Sequence, residues 1–311
     1  MAWLEITVNT TSKDVEDVAA RLTARGYADL VIEDQAEFES FLEENRAYWD
    51  YIDDEFQKKL EGLSRIKLYL EGSDEAGLAR LRDTVAELGL TLEAKPLPET
   101  DWEESWKDSY PPQEVGENLV VLPYWLAEEE TGRKKIILDP GLTFGTGAHP
   151  STQMVMEAME QRVQPGWHCL DLGSGSGILS ITALRLGAQS AVGVDIDPKA
   201  EDIARENAAI NQIFSDRFTA VTGDVIGDKA MMESLRGHYD VVLANIVADV
   251  IIPLSHVVPE FLQEDSIFIC SGILNTRLPE VLDALEKNGL QILSTEQQED
   301  WCRVTAALLE T

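Results

Sequence analysis

The segment Asp171-Leu-Gly-Ser-Gly-Ser-Gly177 has the residue types and spacing that point most directly to chemistry in this 311-residue chain. The apolar run Cys169-Leu-Asp-Leu leads into it and a second apolar stretch follows, so the glycines stand between a strand and a helix. Gly173 and Gly175 lack the Cβ atoms that would block a ligand lying over the turn. The start of the helix offers backbone N–H groups and a partial positive charge. The spacing is G-x-G-x-G, not the G-x-G-x-x-G of dinucleotide sites, and Asp171 stands two residues before the first glycine. That carboxylate would repel a pyrophosphate, whereas a ligand carrying an amine or a cation tolerates it. The alternative is a tight turn that holds no ligand.

Asp195 closes the next strand, 22 residues after Gly173. A carboxylate there can accept hydrogen bonds from both hydroxyls of a ribose. Helix capping is its other possible role, but Asp197-Pro198 follows and suits that role. Asp224 is placed to reach a base edge or to shape a turn. Asn245 ends a later strand, where its side-chain oxygen can accept a hydrogen bond from an amine; a turn-forming role is the alternative. The loop Leu138-Asp-Pro-Gly-Leu-Thr-Phe-Gly-Thr-Gly-Ala-His-Pro-Ser-Thr152 leads into a helix that Ser151 or Thr152 could cap. His149 beside Pro150 reads as a residue that holds the loop's shape. His168, His238 and His256 form no cluster and no Cys-x-x-Cys pair is present, so no metal site is expected.

Strands and helices that alternate from about residue 116 to 311 must position these residues. Such alternation implies a mainly parallel sheet with helices on both faces and a ligand at the carboxyl ends of the strands. Residues 1–98 read differently. Trp3 to Val8 alternates as a strand, Ser12 opens a helix that stops at Gly26, and Leu30 to Ile32 is a strand. Arg65 to Leu70, a helix from Ser73 to Gly89, and Leu90 to Ala94 repeat the pattern. Two βαβ units in series predict a smaller α+β, ferredoxin-like domain. Between the units, an insert at about 34–60 lies in a strongly acidic stretch. Residues 29–55 hold eleven acidic side chains against one basic residue, Arg46. That stretch either docks a basic protein or packs its aromatics inward as a solvated helical insertion. Pro96, Pro98, Pro111 and Pro112 frame a linker at 99–115 containing Trp102 and Trp106.

Lys and Arg number 25 and Asp and Glu 57, a formal charge of -32. A generic nucleic-acid surface needs the opposite sign, so no direct nucleic-acid binding is expected; a basic partner suits the charge better. No apolar run approaches the ~20 residues needed to span a bilayer. The N-terminus lacks the pattern of a signal peptide. Cys169, Cys270 and Cys302 are far apart and suggest buried thiols in a reducing, cytoplasmic setting.

Together these features resemble the bacterial ribosomal protein L11 methyltransferases, class I S-adenosylmethionine enzymes, over nearly the whole chain. The glycine turn alone says class I methyltransferase. The loop 138–152, Asn245-Ile-Val-Ala, Trp102/Trp106-Lys107 and Glu299-Asp-Trp-Cys-Arg are more specific together. The resemblance implies a seven-stranded Rossmann-like domain that binds S-adenosyl-L-methionine through Thr152, Gly173, Asp195 and Asn245, with Asp171 and Gly175 beside them. It also implies an N-terminal domain that recognises the ribosomal protein, and transfer of methyl groups to its N-terminal α-amine and lysine side chains. Asn245 is then the candidate catalytic residue. Ser151 stands where the family usually has Thr, and the insert lengthens the recognition domain. A nicotinamide-dependent dehydrogenase, a non-catalytic adaptor and a methyltransferase for another substrate are the competing readings.

Overall fold

The computed structural model describes residues 3–27, 30–34, 64–97, 107, 110–140, 147–237 and 239–309. Residues 35–60 of the insert, Trp102, Trp106, His238 and residues 141–146 of the glycine-rich loop lie outside the described residues. The chain divides into two compact units, Met1–Ser109 and Tyr110–Thr311.

In the first unit, β1 (Trp3–Asn9), α1 (Val15–Ala24) and β2 (Val31–Asp34) are followed by β3 (Ser64–Glu71), α2 (Glu75–Glu87) and β4 (Leu92–Leu97). The sheet order is β2-β3-β1-β4 with every pair antiparallel, the interlocked arrangement of a ferredoxin-like fold. Period-two alternation turns Ile6 and Val8 of β1 and Ile66 and Leu68 of β3 to one face. Val18 and Leu22 of α1 and Leu81 and Val85 of α2 join them in one cluster, so both helices cover the same face. Gly26 (φ +93°) and Gly89 (φ +73°) follow the two helices in left-handed conformations that favour glycine.

The helix starts differ from the sequence expectation. Asp14, not Ser12, occupies the N-cap of α1, while the Ser12 hydroxyl donates to Asp34 Oδ1 at 2.6 Å. Asp74, not Ser73, caps α2 by accepting the Gly77 N–H at 2.8 Å. Pro96, expected to frame the linker, lies in β4. That is an edge strand paired only with β1, where a missing N–H is tolerated.

The second unit begins with a small sheet, β5 (Gln113–Val115), β6 (Leu119–Pro123) and β7 (Lys134–Leu138), in that order. Strand β5 falls inside the span expected as linker; three residues are too few for a period to show.

Next come α3 (Pro150–Arg162), β8 (His168–Leu172), α4 (Ile178–Leu186), β9 (Ser190–Asp195) and α5 (Pro198–Ile210). They are followed by β10 (Phe218–Thr222), α6 (Lys229–Leu235), β11 (Tyr239–Asn245) and α7 (Ala248–Leu254). Strand β12 (Leu262–Leu274), α8 (Leu278–Lys287), β13 (Leu290–Gln298) and β14 (Trp301–Leu308) complete the unit.

The seven-stranded order is β10-β9-β8-β11-β12-β14-β13. Pairings from β10 to β12 are parallel, and β14 runs antiparallel between β12 and β13. Cores form on both faces. Met156 and Met159 of α3, Ile181 of α4 and Ala204 of α5 pack with Cys169, Leu243 and Ile269. Leu235 of α6, Ile251 of α7 and Leu285 of α8 pack with Leu170, Val242 and Phe268. Burial on both faces is why β8 and β11 read as apolar runs. All three cysteines are free and buried, and burial raises the pKa of each thiol. No helix among the described residues is long and apolar enough to cross a membrane.

Candidate active site

The loops after β8, β9 and β11 open on the same edge of the large sheet because those strands run parallel. In the first loop, Gly173, Gly175 and Gly177 all have positive φ, at +77°, +50° and +77°. A Cβ on Gly173 would lie 2.5 Å from Cγ2 of Ile246, so only glycine fits beneath the residue that follows Asn245. Gly272 (φ +83°) restrains that residue from the other side, since a Cβ there would lie 2.6 Å from the Ile246 carbonyl oxygen. Ile246 N–H donates to Ser271 O at 3.1 Å. The β11 end that carries Asn245 is thereby fixed against both neighbouring strands.

The turn does not present the row of free donors that a helix start suggests. Gly173 and Ser174 N–H both donate to Val194 O, at 2.8 and 3.0 Å, and Gly177 N–H donates to Ser174 O at 2.8 Å. Gly175 N–H donates to Asp195 Oδ2 at 2.8 Å. Four of the turn's N–H groups are thus taken within the protein.

Asp195 is half-buried at the end of β9, and its Oδ1 also accepts the Asp197 N–H at 3.0 Å. Each carboxylate oxygen retains acceptor capacity. Asp197 caps α5 by accepting the Lys199 N–H at 2.9 Å, so capping does not fall to Asp195. Asp171 is fully buried. Its Oδ2 accepts from Ser180 N–H and Oγ at 3.0 and 2.8 Å, and its Oδ1 has no hydrogen-bond partner among the described residues. Burial pushes its carboxyl up to about 6 against the lowering effect of the Ser180 bonds, with the charge of Asp195 adding a smaller upward push.

Asn245 Nδ2 donates to Thr152 Oγ1 at 2.9 Å, joining the β11 end to the start of α3. This bond uses the donor end of the amide and leaves the oxygen as its acceptor end. The α3 cap is His149, not Ser151 or Thr152. Ser151 N–H approaches His149 Nδ1 at 3.3 Å, and Thr152 N–H donates to His149 O at 3.0 Å. The His149 ring lies edge-on to Trp301 with centroids 4.7 Å apart. Burial lowers its pKa and Glu299 partly opposes that. His149 thus ties the start of α3 to Trp301. Asp224 is a turn residue: its Oδ1 accepts from Ile226 and Gly227 N–H at 2.9 and 3.0 Å.

Three features escape the sequence pattern. Ile196, next to Asp195, is 68% exposed, an apolar surface at the lip of the turn; its position just after a strand-end acid was the available signal. Asn207 and Asn211 are both buried on α5. Asn211 accepts from Ile137 N–H at 3.0 Å and donates to Ile137 O at 2.6 Å, standing in for a neighbouring strand beside β7. Two asparagines four apart read from sequence as an exposed helix face.

Comparison with known proteins bears on this arrangement. The sequence model of the family "Ribosomal protein L11 methyltransferase (PrmA)" matches residues 2–308. A ribosomal protein L11 methyltransferase from Caldicellulosiruptor bescii is 38% identical, over 98% of this chain and 99% of the relative. One from Alkaliphilus metalliredigens is 38% identical, over 99% and 98%. Among solved structures, a ribosomal protein L11 methylase from Lactobacillus delbrueckii subsp. bulgaricus superposes with a TM-score of 0.58 at 31% identity. That match covers 65% of this chain and 100% of that one.

Proposed function

The chain belongs to the ribosomal protein L11 methyltransferase family, and on that premise we propose that it methylates amino groups of ribosomal protein L11, both the N-terminal α-amine and lysine ε-amines. The methyl donor is S-adenosyl-L-methionine, which when bound supplies an electrophilic methyl group on a sulfonium. The residues fit such a donor: Asp195, at the end of β9, keeps acceptor capacity on both oxygens, and the fully buried Asp171 has an Oδ1 without a hydrogen-bond partner among the described residues. In this reading Asp195 accepts from the ribose hydroxyls, Ile196 offers an apolar surface to the base, and Gly173, Gly175, Thr152 and Asn245 line the rest. Asp171 contributes negative charge beside the turn.

The observation that carries the reading is the bond from Asn245 Nδ2 to Thr152 Oγ1. It orients the amide so that its oxygen is left to accept from an incoming amine. Only a neutral amine has the lone pair that attacks. For lysine near 10.4, deprotonation at pH 7 costs about 4.6 kcal/mol; for an α-amine near 7.8, about 1.1. A desolvated site lowers either cost. Asn245 aims the lone pair, and no general base is required. The net charge of -32 supports a basic protein substrate drawn in by opposite fields. The first unit is the recognition domain in this reading, and the reaction takes place in the cytoplasm, where ribosomal proteins are made.

The test is mass spectrometry of purified L11 after incubation with the chain and S-adenosyl-L-methionine. The expected result is mass added in whole methyl increments, mapped to the N-terminal amine and to lysines. L11 left unmodified would contradict it.

A further inference from the structure

Asn207 is fully buried on α5, yet both ends of its side-chain amide are used outside that helix. Its Nδ2 donates to the carbonyl oxygen of Ser176 at 2.9 Å, inside the glycine turn. Its Oδ1 accepts the N–H of Asp139 at 2.9 Å, at the start of the loop that runs from β7 to α3. The amide has one workable orientation, because a carbonyl needs a donor and an N–H needs an acceptor.

These are the two loops that carry the candidate donor residues. The turn holds Gly173 and Gly175, and the β7–α3 loop ends at His149 and Thr152. The peptide between Ser176 and Gly177 is held at both ends, its oxygen by Asn207 and its N–H by Ser174 O at 2.8 Å. Gly177 has no side-chain cap of its own at the start of α4. Asn207 therefore contributes to the direction in which that peptide faces. Asn211, one turn further along α5, serves β7 instead, through Ile137.

We propose that Asn207 is a positioning residue for the donor site, one side chain that sets the glycine turn and Asp139 at a fixed spacing and so sets the affinity for S-adenosyl-L-methionine. This rests on the reading that the glycine turn holds the donor.

Asn207→Asp provides a test that a merely structural asparagine would not pass. When ionised, the introduced carboxyl only accepts, so it keeps the Asp139 N–H but faces the Ser176 carbonyl without a proton. When protonated, it can donate to Ser176 O and accept from Asp139 N–H, as the amide does. Burial raises its pKa. The ionisable groups on the elements packed around it are Lys134 and Lys135 on β7, Asp139 after it, Asp171 and Asp195 at the turn, and Arg185 on α4. On α5 itself Lys199, Asp202, Arg205 and Glu206 are exposed and Glu201 is half-buried. The wild-type protein, measured at each pH, accounts for the titration of all of these.

The measurement is calorimetric titration of S-adenosyl-L-methionine into the full chain at pH 8 and pH 5.5, with folding checked by thermal melting. For Asn207→Asp the Kd relative to wild type should rise at least about tenfold at pH 8, the scale of one unsatisfied buried carbonyl. It should return close to wild type at pH 5.5. Asn207→Ser, too short to span both partners, should bind weakly at both pH values. Folded variants with wild-type Kd at both pH values would overturn the proposal, as would a loss in Asn207→Asp that acid does not restore. Asp195→Ala, measured alongside, separates two failures. Lost affinity there with none lost at Asn207 overturns the positioning role alone. Unchanged affinity in both overturns the placement of the donor as well.

Discussion

The sheet of the first unit has helices on one face and antiparallel strands throughout, so neighbouring strands end on opposite edges. In the second unit five consecutive strands of the sheet run parallel, with cores on both faces. Their carboxyl ends collect on a single edge, which is where Gly173, Asp195 and Asn245 come together. The open side of the first sheet instead carries side chains of both signs. Lys67 on β3, for example, pairs with Glu33 on β2 at 3.0 Å and with Glu5 on β1 at 3.7 Å. The difference assigns convergent chemistry to the parallel edge and leaves the first unit a surface. Holding the partner is the role proposed for it.

The comparison breaks if chemistry does not depend on the parallel edge, and the largest expected effect lies there. Asn245→Ala should slow methyl transfer by more than about 100-fold, equivalent to a positioning loss of about 3 kcal/mol. Donor affinity should fall by much less. Single-turnover rates at saturating donor measure this; near-wild-type rates would reduce Asn245 to a strand-end residue. Asn245→Asp should rescue poorly at pH 7 and better at higher pH, because a carboxylate also stabilises the protonated amine that cannot attack.

A smaller effect is expected at Asp171, beside the parallel edge. Burial pushes its carboxyl up to about 6, above the ordinary aspartate range near 3.9. Between those values the folded state binds more protons than the unfolded state, so stability falls as pH rises through that window and levels off above it. The loss should be roughly 2–3 kcal/mol. Urea unfolding of wild type and Asp171→Asn at pH 4 and pH 7 should show the difference between them changing by that amount. A difference that stays constant with pH would mean Asp171 carries no such burden.

The least effect should come from the first unit. Ser12→Ala removes the hydroxyl that donates to Asp34 and should cost about 1 kcal/mol of stability. Donor affinity should not change, and a changed Kd in calorimetry would blur the division between the units.

The same contrast explains what could be read from the sequence. Gly173, Asp195 and Asn245 were legible because each follows an apolar run at a spacing that a parallel sheet fixes. The ferredoxin-like order was legible from two repeated strand–helix–strand patterns. Helix starts were not: Ser12, Ser73 and Ser151 each stand one or two residues from the true caps Asp14, Asp74 and His149, and any of these types suits a cap or the turn beside it. Asp171 read as an acid near a ligand, but that its Oδ2 binds Ser180 could only come from packing. Asn207 was invisible because its partners, Ser176 O and Asp139 N–H, are backbone groups on two distant loops. Gly272 carries no spacing signal; its need for glycine comes from Ile246 on a neighbouring strand.

The division of labour is tested most directly on a chain of residues 110–311, the second unit with its own double core. Calorimetry with S-adenosyl-L-methionine should give an affinity close to that of the full chain, since Thr152, Gly173, Asp195, Asn207 and Asn245 are all retained. Methylation of L11 by the same chain, followed by mass spectrometry, should be lost. Full methylation of L11 without residues 1–109 would contradict the account.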